Sequence, residues 1–226
     1  MIYLNSFKPL CYNPLGLAAI NKYGFPPFID SSCRREPDFQ MALPSVSALC
    51  RSSKFAPKLK INDIIVYITV GGIFHPHKIG HHLVAVLQVI NVFQSHTLGS
   101  SWYLANFSSL PKNCMIPNNP PLDFDKTGGN FKVKIQLNHF MSMSPQRQTL
   151  IGQRRILNWD SQYLFRSSKW PVFICTKPLF LNLTNPNLIT RTDFIRIFGK
   201  IPNTQIPKVI SQTKLNQLFI LSGLPS

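Results

Sequence analysis

Two apolar runs in the middle of the chain limit its architecture more than any other feature. Ile64-Ile65-Val66-Tyr67-Ile68-Thr69-Val70 is mostly β-branched and is closed by Gly71-Gly72, and the run 83–93 is apolar at nearly every position. Side chains on a strand point alternately to opposite faces, so a run without polar alternation must be covered on both. The two runs therefore read as neighbouring buried strands of one sheet. Residues 2–4, 172–176 and 179–183 read as further short strands. The stretch 131–137 alternates apolar and polar, which predicts a half-buried strand with Lys132 and Lys134 turned to solvent. Nineteen prolines in 226 residues break the chain into short elements, which suits a β-rich domain better than a helical bundle.

Helical signals are fewer. A hydroxyl-capped short helix is predicted from Ser45 over 45–51, and a short helix or turn over 98–107. The segment up to Phe28 and the segment 111–121 read as loops. In the tail, Thr190-x-x-Asp193 forms a capping box ahead of Phe194, Ile195, Ile197 and Phe198, with Gly199 as the stop. A second tail helix is expected within 207–221, with Leu215, Leu218 and Phe219 on one face and Gly223 beyond it. Together these elements predict an α+β protein: a small curled β-barrel domain with covering helices over 1–185, and a helical extension over 186–226 packed on it.

Charge points to the partner. Lys and Arg total 24 against 8 acidic residues, a formal +16. Fixed positive charge of this size attracts polyanions and releases their counterions, so DNA or RNA is the expected partner. The cations recur at Arg34, Arg35, Arg51, Lys54, Lys58 and Lys60, and again at Arg147, Arg154, Arg155, Arg166 and Lys169, which reads as a basic stripe on a folded surface. The N-terminal segment lacks the basic start and apolar run of a secretory signal, and the apolar stretch 64–74 is too short to cross a bilayer. A cytoplasmic protein without a membrane partner is expected. Five widely spaced cysteines without a C-x-x-C pair read as reduced thiols. The charge and spacing leave the oligomeric state open.

Candidate site residues concentrate in 30–38, Asp-Ser-Ser-Cys-Arg-Arg-Glu-Pro-Asp. Arg34 and Arg35 can pair with phosphate or a guanine edge, and Ser32 can hydrogen-bond beside them. Asp30, Glu36 and Asp38 can accept from an exocyclic amine or stabilise positive charge on a sugar, and are the candidate catalytic acids. Arg51 is a candidate phosphate grip. Tyr67 and Thr69 on the first long strand join the candidate nucleic-acid set. His75, His77, His81 and His82 lack an accompanying carboxylate, so no metal site is expected, and His82 or His81 is instead placed at the mouth of the sheet against a ligand or phosphate. Ser95 and His96 precede Trp102 and Tyr103, a polar pair beside rings that can stack a base. Asn113, in a proline-held loop, can read a base edge. Without a phosphate-binding glycine loop or a dinucleotide fingerprint, no cofactor is expected.

The order of these features resembles the PUA-like superfamily, with the EVE, ASCH and bacterial nucleotide-modification-associated domains as the nearest likenesses. The residues that carry the likeness are Leu49-Cys50-Arg51, Asn62-Asp63-Ile64-Ile65-Val66-Tyr67 and the run 83–93, and it extends over about residues 1–185. Asn62 stands where such families usually have glycine, and it too tolerates a left-handed turn. The resemblance implies a curled barrel with a pocket for one flipped, often modified, base, and a place in phage defence or restriction. An enzyme acting on the same substrate, a glycosylase or nuclease using Asp30, Glu36 or Asp38, is the alternative. A structural RNA-associated protein is the third reading.

Overall fold

The computed structural model describes residues 1–74, 78–127, 137–199 and 206–224. The elements run β1 (Ile2–Phe7), α1 (Pro14–Tyr23), β2 (Ser45–Ser47), β3 (Ile64–Thr69), β4 (Gly72–Phe74), β5 (Lys78–Phe93) and α2 (His96–Asn106). There follow α3 (Leu137–Met141), α4 (Pro145–Lys169), β6 (Phe173–Leu181), β7 (Leu188–Ile189), α5 (Arg191–Phe198), β8 (Lys208–Val209) and α6 (Gln212–Leu221). One strongly curled, half-barrel sheet holds the strands in the order β2-β6-β5-β3-β1-β8, with β4 and β7 also paired to β5. The chain is thus mixed α/β around a curled sheet.

The two apolar runs are β3 and β5, antiparallel neighbours at the middle of the sheet. Both faces are covered, as their composition requires. Tyr3, Ile65, Tyr67, Val84 and Leu87 pack with Phe28, Phe39 and Phe55 on one side. Leu4, Val66, Ile68, Leu83 and Val86 pack with Phe194, Ile197, Leu215 and Leu218 of the tail on the other. The tail also extends the sheet: β7 pairs with β5 at His81 and His82, and β8 pairs antiparallel with β1. Its first helix starts as expected, with Thr190 and Asp193 capping each other and Gly199 ending the helix at φ 73°.

Several local expectations are corrected. Ser45 does not start a helix. It opens β2, because Ser45, Val46 and Ser47 find ladder partners in Cys175, Ile174 and Phe173, and tertiary pairing outweighs a local capping pattern. The segment before Phe28 contains α1, in which Pro14 occupies the first turn, Asn13 accepts from Gly16 N at 2.9 Å, and Gly24 closes the helix in the left-handed region. The strands expected over 172–176 and 179–183 are one strand. Pro178 is tolerated within it because β2 pairs only with Phe173, Ile174 and Cys175, which leaves the outer side of Pro178 without a ladder to break. The 25-residue α4 was not expected at all. Its core-facing stripe is narrow: Ile151, Ile156, Trp159 and Tyr163 meet Cys33, Leu49 and Phe124, and the outer side mixes polar and basic residues with the exposed Leu150, Leu157, Leu164 and Phe165. Residues 131–136 of the expected alternating strand, with His75 and His77, lie outside the described residues.

One glycine is fixed by close approach. A Cβ on Gly16 would stand 1.6 Å from the Leu10 carbonyl oxygen, a backbone atom that cannot rotate away. Gly16→Ala is expected to destabilise the protein by about 3 kcal/mol, the upper range for overpacking, and urea unfolding measures it directly.

Candidate functional site

The parallel pair β1·β3 positions the site. Its two strands end together, at Phe7 and Thr69. Ligands of α/β sheets collect outside the carboxyl ends of parallel strands, where the connecting chain must turn away and leaves a crevice. Here the chain leaving β1 bridges Pro9 to Asp30, and Ser31 N donates to Lys8 O at 3.2 Å, which pins the polar segment 30–38 over that edge. The result is a cavity of about 430 Å³ lined by Ser6, Lys8, Asp30, Glu36, Arg51 and Lys54, among others.

Its inner wall carries two buried carboxyls. Asp30 and Glu36 are only 5% and 3% exposed. Asp30 Oδ1 accepts from Ser32 N at 2.8 Å, from Glu36 N at 3.1 Å and from the Ser32 hydroxyl. None of these donors reaches Oδ2. Glu36 is held by Ser47, whose N–H donates at 3.0 Å and whose hydroxyl donates at 2.7 Å. Burial pushes the Asp30 carboxyl up to about 6 against the pull of Ser32 and the Arg35 guanidinium. Burial likewise pushes Glu36 up to about 8, against its Ser47 donors and with the Asp30 charge adding to the rise. At neutral pH the wall therefore carries a protonated Glu36 beside a largely ionised Asp30.

The rim is cationic. Lys8 and Lys54 are exposed, and Arg51 is half-buried with Nη2 donating to Ser6 O. Arg51 Nε is buried without a hydrogen-bond partner, and the Tyr67 hydroxyl and the Asn5 amide are buried against each other on the adjacent strands. Asn5 and Tyr67 stand opposite each other in the β1·β3 register, and the Tyr67 hydroxyl lies in the fields of Arg51 and Glu36. A guanidinium N–H buried without a partner, as Arg51 Nε is, is uncommon in native interiors. Two left-handed non-glycine residues flank the cavity, Arg35 at φ 46° and Ser52 at φ 52°. Such backbone is sterically costly and persists where surrounding structure holds it.

No family model, no curated protein and no solved structure matches this chain.

Of the residues singled out in the sequence, Asp30, Glu36 and Arg51 line the cavity. Ser32 and Arg35 support it from behind: Arg35, 1% exposed, donates to the Asp30 carbonyl and to Lys126 O at 2.7 Å. Arg34 turns away to Asp160 (2.7 Å) and Asn119 O (2.8 Å). Asp38 holds backbone, accepting from Gln40 N at 2.9 Å and Lys112 N at 2.6 Å, and Asn113 clasps Ser45. Thr69 accepts from His82 N at 3.0 Å, and the His82 ring lies 4.9 Å from Phe28. His81 packs on the opposite face, 4.4 Å from Phe194. Ser95 caps α2, and His96 accepts from Met115 N at 3.0 Å under Phe173. Trp102 and Tyr103 sit in an aromatic cluster with Phe93, Phe107 and Phe173, and the Tyr103 hydroxyl donates to Leu43 O at 2.7 Å. Neither ring is part of the cavity wall.

Lys8 and Ser47 were not singled out in the sequence. Lys8 earns its place only by following a strand that pairs in parallel, and Ser47 by the ladder that turns it toward Glu36. Among the described residues no three His, Cys, Asp or Glu side chains gather as a metal site, and no helix is long and apolar enough to cross a membrane.

Proposed function

We propose that the cavity receives a single base of a nucleic-acid strand while Arg51, Lys8 and Lys54 meet the flanking phosphates. The observation that carries this reading is the pairing of a buried polar wall with a cationic rim in one hollow, on a chain of formal charge +16. A hollow of about 430 Å³ lies in the range that holds small ligands. Buried acceptors and donors can read a base edge, and exposed cations neutralise phosphate without reading sequence. A modified, flipped base in phage defence or restriction is the form of this function that the PUA-like resemblance suggests.

The free Oδ2 of Asp30 beside a protonated Glu36 favours a second reading, excision of the bound base. In that chemistry a carboxylate stabilises the positive charge developing on the sugar, and a neutral carboxyl can protonate the departing base.

Titrating single-stranded and duplex oligonucleotides, with and without modified bases, across salt concentrations tests the binding. Arg51→Ala and Lys54→Ala are each expected to weaken binding for all sequences and to lower the slope of log K against log salt by about one. Equal, weak and salt-insensitive association for every oligonucleotide would refute the proposal. Alkali-labile sites that appear with the parent protein and vanish with Asp30→Asn would select excision over binding alone.

A further inference from the structure

Two cation–aromatic pairs stand beside the cavity. The first follows β1. Pro9 turns the chain into a single helical turn, Leu10–Tyr12, and Lys8, on the cavity rim, holds its Nζ 5.2 Å from the Tyr12 ring. That ring is 36% exposed. The second pair ends α4. Pro171 disfavours helical backbone at the residue before it, so the helix stops at Lys169 and Trp170 turns out of it at ψ 77°. Lys169 Nζ lies 5.1 Å from the half-buried Trp170 ring.

The β2·β6 ladder brings this second pair to the cavity. Its last rung joins Ser47 to Phe173, so the chain that leaves β2 toward Cys50 and Arg51 runs beside the chain that enters β6 from Trp170. Arg166, one turn before Trp170, donates from Nη1 to Leu49 O at 2.5 Å and ties the two segments together.

We infer that the nucleic acid taken by this site is single-stranded, with the nucleotides on either side of the received base stacked on Tyr12 and Trp170 and their phosphates met by Lys8 and Lys169. This rests on the base-receiving cavity proposed above. In a duplex the bases that flank a flipped one stay paired and stacked, and a ring on the protein surface meets only sugar and phosphate. In a single strand every base has a face to offer, and stacking on an aromatic side chain tolerates any sequence. An ammonium group held against each ring places the phosphate contact next to the stacking contact. The lining residues add no exposed negative charge, because its two acids, Asp30 and Glu36, are buried. Charge alone would choose the other form, since a duplex carries about twice the phosphate charge per unit length. A preference for single strands is therefore a signature of the rings.

Anisotropy titrations of the full chain at one salt concentration test this. The probe is a labelled strand of about 12 nucleotides of mixed sequence, within the site sizes of single-strand grooves, made as DNA and as RNA, alone and annealed to its complement. The better-bound strand is expected to bind about tenfold tighter alone than annealed, and Tyr12→Ala and Trp170→Leu are each expected to weaken that binding about tenfold, while duplex binding changes less than about twofold. Tyr12→Phe keeps the ring and is expected to bind as the parent does. Tyr12 is exposed, so Tyr12→Ala is expected to leave the thermal melt unchanged, and it carries the test if Trp170→Leu does not fold. Duplex binding as tight as single-strand binding, or a Tyr12→Ala variant that binds the strand as the parent does, overturns the inference. Weakening by Arg51→Ala without weakening by Tyr12→Ala would remove the stacked strand and leave the base cavity standing, whereas no binding of either form would remove both.

Discussion

Glu36→Gln is expected to be more stable than the parent above pH 8 and nearly equal to it at pH 5. Glu36 is buried, and folding raises its carboxyl from 4.5 to about 8. A carboxyl raised on folding contributes stability while it is protonated, fully below the unfolded value, and loses that contribution as pH rises through the folded value. Between pH 4.5 and 8 the parent should therefore lose stability at up to about 1.4 kcal/mol per pH unit from this group alone. Asp30, raised from 3.8 to about 6, adds a smaller loss in the lower part of the same window. Glutamine is neutral at every pH and can still accept from Ser47 N, so the variant keeps only the Asp30 part of the slope. Urea midpoints from pH 5 to pH 9 measure the difference. Parallel curves for variant and parent would mean that Glu36 is ionised in the folded protein throughout.

Arg35→Ala is expected to cost about 3 to 5 kcal/mol, the range for breaking one side of a buried charged network. Arg35 is among the largest fully buried side chains, and burial lowers its guanidinium to about 10. Its fork joins the carbonyls of Asp30 and Lys126, which lie far apart in sequence, and its guanidinium lies 5.2 Å from the Phe25 ring. Removing it leaves two buried acceptors unpaired and takes away the positive charge that restrains the rise of Asp30. The melting temperature should fall by about 10 °C for a chain of this length. Arg35→Lys should not restore it, because one ammonium group on a flexible stem does not reproduce a planar fork bridging two separated carbonyls. Full rescue by lysine would show that charge alone, without geometry, is what the site needs.

Much of the sheet was legible because its signals are local and redundant. The β-branched run ending at Gly71 and the uncharged run after it each demand cover on two faces, and the structure supplies both covers. The capping box at Thr190 and Asp193 is a bond between groups three residues apart, so the sequence holds all its parts. The segment 30–38 was legible as a concentration of polar and charged side chains, and Asp30 and Glu36 do line one cavity with Arg51. Its internal division was not legible. Arg34 and Arg35 are adjacent and chemically identical, yet one reaches Asp160 on α4 and the other braces the pocket wall.

Sequence alone determined a two-sided buried sheet, a capped helical tail and a strongly cationic chain, because strand alternation, end-capping and net charge are properties of neighbouring residues or of the sum. Tertiary structure decided that Ser45 joins a ladder, that 145–169 is helical behind a narrow apolar stripe, and that Lys8 borders the pocket while Trp102 is set in an aromatic cluster apart from it. The physical reason is common to all four. Each depends on which distant surface a residue meets, and the free energy of that meeting exceeds the few tenths of a kcal/mol by which local propensity distinguishes strand, helix and loop.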